Sequence, residues 1–235
     1  MGNRMSTHPF SRYGGWAALA AGSLGIFATV CLILFFAVEA PLGSASPFPF
    51  GFFSDILPIF AAPLAVVVYI VFYQAQWQSA PQWSTAAAGL GITGSTALAV
   101  VHTLFVMERI NLEEQIAGYF LSMVPLGLWH LLVNTQARRD GTLPARLASF
   151  GVLMGACQVL SFVFLFVLGG YNASSSADLA AITANLPLLI FLMIAYPVSV
   201  LGYIGPPIWL VWLGQVLIRE NTRSETNHPP ASVQG

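Results

Sequence analysis

An all-α polytopic bundle of six transmembrane spans is the fold class this sequence predicts. Three observations carry it. The 235 residues are 57% hydrophobic and only 7% charged, whereas a soluble domain has about 25% charged residues to cover its surface. The apolar residues come in runs of about 20, the length that crosses the hydrocarbon core as a helix. With six spans, Arg4, Arg12, Arg138, Arg139, Arg146, Arg219 and Arg223 share one side, and Arg109 alone is opposite. The positive-inside rule then puts both termini in the cytoplasm of a multi-pass cell (plasma) membrane protein. The expected organisation is a cytoplasmic segment over 1–15, a bundle over 16–218, and a disordered cytoplasmic tail over 219–235.

The first span is expected over 16–38. Its apolar run exceeds the roughly 7–15 residues of a signal-peptide core. A Pro-, Gly- and Phe-rich loop follows over 41–55, because prolines oppose helix and aromatics suit the headgroup boundary. The second span is expected over 56–73, with Pro58 in its first turn and Pro63 deeper, where it should kink the helix. Trp77 and Trp83 are placed as interfacial anchors.

The third span, 84–107, has no charge and repeats small residues every fourth position: Ala87, Gly91, Ser95 and Ala99. Such a stripe lets a neighbouring backbone approach closely, the way helices pack in lipid. Asn111 and Glu114 have the spacing of a capping box for the fourth span, 112–134, which Pro125 should bend. The fifth span, 144–168, carries a GxxxG packing face at Gly151 and Gly155. The last apolar region, 186–218, would be about 50 Å long as one helix. Pro197, Gly202, Gly205, Pro206 and Pro207 predict that it is broken and lies partly along the interface.

Few residues are candidates for chemistry. There is no lysine, which excludes a lysine Schiff base. Cys31 and Cys157 sit in apolar runs without metal-ligand spacing, and no cofactor is expected. The net charge of −1, without a basic cluster, gives no reason to expect nucleic acid. The expected partners are the lipid bilayer and a membrane protein or a second copy of the chain. A zinc site of His102 with Glu108 or Glu113 has no motif behind it, so metal binding stays undetermined.

Glu39, Asp55, Glu108, Glu113, Glu114 and Asp178 all map to the outer side, opposite most of the arginines. His102 lies about two turns below that side, on the edge of the small-residue stripe. Ionisable groups inside a membrane mark functional sites by default. His102, Glu39, Asp55 and Glu113 are therefore the candidate ligand-binding residues, lining an outward-opening polar pocket. His130, Asn134 and Gln158 form a candidate polar network within the membrane.

Glu113-Glu114 and His130-x-x-x-Asn134 look like fragments of the motifs of the intramembrane prenyl-protein proteases. Gly118 stands where that family has arginine, and His102 precedes the glutamates instead of following them. A looser likeness covers nearly the whole chain. In Gly51-Phe52-Phe53-Ser54-Asp55-Ile56-Leu57, in Leu143-Pro144 and in the glycine-rich last helix with its tryptophans, the chain resembles an uncharacterised family of six-helix bacterial membrane proteins. That resemblance implies an architecture and no activity. The function expected first is a non-enzymatic structural or accessory subunit, or a small-molecule sensor. A transporter with a polar pocket near His102 is the alternative, and a metal-dependent intramembrane enzyme ranks third.

Overall fold

The computed structural model describes residues 10–42, 48–76, 80–168 and 186–227. Six helices account for nearly all of them, and no strand occurs among the described residues. α1 spans Phe10–Leu34 and continues through a π-helical turn, Phe35–Glu39, into Ala40–Leu42. α2 is Phe50–Gln76, α3 Pro81–Val106, α4 Leu112–Asp140, α5 Ala145–Leu168 and α6 Leu186–Asn227. All six are long and apolar enough to cross a membrane, so the chain is a multi-pass helical membrane protein. Phe27, Ile33, Phe60, Leu121, Leu153 and Met193 are exposed on the outside of the bundle, as lipid contact requires.

Each helix packs on the next in sequence, and α6 returns to α1, so the bundle is a closed ring. Neighbours run antiparallel: Gly91 of α3 faces Trp129 of α4 while Gly94 faces Leu126. The small residues sit at these contacts. A Cβ on Gly91 would lie 2.9 Å from both Trp129 and Tyr69, and Ala87, Gly91 and Ser95 are buried. Gly94, outside the four-residue repeat, is as tightly placed, 2.7 Å from Leu126. Gly151 and Gly155 face α4, where added Cβ atoms would lie 2.2 Å from the Asn134 side chain and 2.8 Å from the Gly127 carbonyl.

The packing is uneven along the bundle axis. The buried apolar cluster includes Ala18, Phe72, Val133, Ala137, Leu147, Trp209, Leu213 and Leu217, filling the half that carries Arg138, Arg139, Arg146 and Arg219. Trp129 stacks at its centre, with ring centroids 4.4 Å from Tyr69 and 5.7 Å from Trp209. The other half, toward the α3–α4 turn, holds the cavities described below.

The expected capping box is formed: Glu114 N–H donates to Asn111 Oδ1 at 2.9 Å, and Asn111 N–H donates to Glu114 Oε2 at 2.8 Å. Three expectations need correcting. The loop over 41–55 is shorter than its prolines imply, because α2 begins at Phe50. Glu39 stabilises that start: its Oε2 accepts from Gly51 N–H at 2.8 Å, a carboxylate at the positive end of a helix. The last helix is not broken. Its backbone passes through Pro197, Pro206 and Pro207 as helix. An interior proline costs about 3 kcal/mol, and here α1 and α5 clasp the helix from both sides, with Gly202 against Cys157 and Gly205 against Met154. The same helix continues to Asn227, past the expected start of the tail at 219. The termini at 1–9 and 228–235, Trp77, and the loop with Asp178 lie outside the described residues.

Candidate functional site: a carboxylate–imidazole–amide cluster beneath the α3–α4 turn

Because α2 starts early, Asp55 stands in its second turn and not in a loop. From there its Oδ1 reaches His102 Nδ1, near the end of α3, at 3.2 Å. Gln115 Nε2, one turn into α4, donates to the same oxygen. Three helices thus contribute one side chain each to a single polar contact. The His102 side chain is 9% exposed and that of Asp55 17%. A carboxylate accepts only, so His102 Nδ1 carries the proton toward Asp55 and Nε2 is left as an acceptor. Nε2 is buried and has no partner in the protein.

A cavity of about 910 Å³ opens above this cluster. Among the described residues its charged lining is Glu39, Asp55 and Glu108 against Arg109, with Asn111, Gln115, Tyr119 and Tyr203 as further polar groups. Three carboxylates facing one arginine make it a cation-attracting concavity. The exposed residues Glu108, Arg109 and Asn111 form its mouth. Glu108 has φ 54°, a left-handed conformation that disfavours a side chain. It ends α3 in a Schellman pattern, with Arg109 N–H donating to Leu104 O at 2.8 Å and Glu108 N–H to Phe105 O at 2.9 Å. Phe35, Phe36 and Glu39, all from the π-helical turn of α1, also line the cavity. Such turns recur at functional sites.

Of the four candidate ligand-binding residues, the structure gathers His102, Asp55 and Glu39 around this cavity. Glu113 is exposed on the first turn of α4 and is not among the lining residues. Gln115, Tyr119 and Tyr203 were missed. The one sequence signal was that Gln115 and Tyr119 share a face of α4 at i and i+4. Tyr203, in the apolar last helix, gave none.

The chain matches no family model, no curated protein and no solved structure. The site's chemistry therefore rests on its own geometry.

His130, Asn134 and Gln158 converge where α4 meets α5, all buried. They are linked in part: Asn134 bonds to the His130 backbone, and the Gln158 side chain lies beside the His130 imidazole. His130 Nδ1 donates to Leu126 O at 2.9 Å, Asn134 Nδ2 to His130 O at 2.8 Å, and Gln158 Nε2 to Met123 Sδ at 3.3 Å. Among the described residues, no three His, Cys, Asp or Glu side chains gather in a way that would hold a metal ion.

Proposed function

We propose that this is a non-enzymatic protein of the cell membrane, with both termini cytoplasmic, that receives a small organic cation in the cavity above Asp55. It would act as a sensor or as an accessory subunit. The observation that carries this reading is Asp55, held by His102 and Gln115 at the base of a cavity with three carboxylates and one arginine. A half-buried carboxylate already fixed by two partners binds a cation without first ordering itself, which preserves affinity. Ser54, a hydroxyl of the cavity lining, donates to Gly51 O at 2.7 Å and not to the imidazole.

The test is a melting curve of the whole protein in nanodiscs against a panel of small organic amines. At least one amine should raise the melting temperature, and Asp55→Asn should abolish the rise. If none does, the cavity is not a cation site. Purification from native membranes without crosslinking tests the accessory role, since a subunit brings its complex with it. Reporters fused at position 172 and after position 223 should fall on opposite sides, with the second cytoplasmic.

A second reading, a transporter, draws on one observation. His102, Tyr119 and Tyr203 line both this cavity and a smaller one deeper in the bundle. Proteoliposome uptake of the stabilising amine separates transport from sensing.

A further inference from the structure

The deeper cavity has a volume of about 130 Å³. It lies at the centre of the bundle, lined from all six helices, under His102, and Trp129, His130 and Gln158 belong to its lining. Among the described residues, no carboxylate or arginine lines it. Most of its wall is apolar, from Ala28, Ala62, Ala65, Leu98 and Met123, together with the rings of Tyr69, Tyr119, Trp129 and Tyr203.

Its polar groups are of two kinds. Tyr69 Oη and Ser95 Oγ satisfy each other at 2.9 Å. His102 Nε2, Trp129 Nε1 and Gln158 Oε1 have no partner in the protein, although all three atoms are buried. Trp129 and Gln158 are each only 1% exposed. A buried polar atom left without a bond costs about 1–3 kcal/mol, so three around one cavity call for a common partner. The indole N–H is a donor only, the amide oxygen an acceptor, and Nε2 an acceptor once Nδ1 is committed to Asp55. The complementary ligand therefore offers both an acceptor and a donor, carries no charge, and presents an apolar body to the aromatic wall.

We infer that this cavity is a second binding site, for a neutral ring-sized molecule bearing a hydroxyl group. A cavity of about 150 Å³ accommodates benzene, so the size fits a single ring. A phenol meets the chemistry: its O–H donates to Gln158 Oε1, and its oxygen accepts from Trp129 Nε1–H. The site does not rest on the cation reading, because Asp55 and Glu39 do not line it.

The test measures radiolabelled phenol binding to the full chain in nanodiscs by equilibrium dialysis, with protein-free nanodiscs as the baseline for partition into lipid. Saturable binding at one site per chain is expected, at least about tenfold tighter than benzene. Gln158→Leu and Trp129→Phe should each weaken phenol about tenfold, the loss of one well-made hydrogen bond. Gln158→Leu should melt no lower than the parent protein, because at nearly constant volume it removes an unsatisfied amide oxygen and gives up only a weak bond to the Met123 sulfur. This keeps the test informative if Trp129→Phe fails to fold. Binding that never saturates overturns the inference. So does benzene binding as tightly as phenol, which would mark an ordinary apolar cavity. So does phenol binding that is unchanged in Gln158→Leu, which would place the ligand elsewhere.

Discussion

Asp55 and His102 lie 47 positions apart on different helices, and Asp55 Oδ1 meets His102 Nδ1 at 3.2 Å. The contact fixes the orientation of the imidazole, as a carboxylate behind a histidine commonly does. It also gives Asp55 two donors, His102 and Gln115, that fix the carboxylate for a cationic ligand. His102→Leu removes one of them, so amine affinity should fall severalfold while Gln115 still holds the carboxylate. Calorimetric titration of the parent protein and the variant checks this, and an affinity unchanged in His102→Leu would show that the contact does not position Asp55.

Glu108 ends α3 with φ 54°, whereas Gly141 ends α4 with φ 64° in the same left-handed region. Only the glycine adopts it freely. Glu108→Gly should stabilise the protein by about 1 kcal/mol. The same change removes a carboxylate from the cavity mouth, so amine binding should weaken while the melting temperature rises. Stability and binding moving in opposite directions is the signature of strain retained for a site. If both rise together, Glu108 serves neither.

Gly91→Leu should lower stability in detergent by more than about 1 kcal/mol, the scale of overpacking. An added Cβ already meets the Tyr69 and Trp129 rings at 2.9 Å, and both rings are held in the aromatic cluster. A melting curve that does not move would contradict the packing of α3 on α4.

Gly151→Ala tests the opposite interface. Its Cβ would lie 2.2 Å from the Asn134 side chain, which is fully buried and bonded to His130 O. Asn134 must give up that bond or α5 must move away from α4. A loss of about 1–3 kcal/mol is expected, measured by thermal melting. Gly89→Ala, where an added Cβ meets nothing within 4 Å, is the neutral control.

What the sequence reveals here is local. The Asn111–Glu114 cap, the small-residue stripe and the GxxxG face depend on spacings of three and four residues along one helix, and all three sit at the structure's caps and contacts. Relations between helices were not legible in the same way. Pairing Asp55 with Gln115 depends on α2 beginning at Phe50, and that start depends on Glu39 from another helix. The prolines of the last helix point to a break when read alone. The neighbours that hold it continuous, α1 and α5, cannot be read from those prolines. His130, Asn134 and Gln158 meet at the α4–α5 contact, but the backbone carbonyls and the sulfur that take their hydrogen bonds leave no mark in composition.

The most direct test of the cation site reads the histidines themselves. The chain has four, and nitrogen NMR of selectively labelled histidine in nanodiscs resolves their rings. With the amine that most stabilises the protein, the ring signals of His102 should move saturably and those of His130 should stay in place. Asp55→Asn should remove the response. A His102 signal that does not move under saturating amine, or one that moves equally in Asp55→Asn, would contradict the cation site.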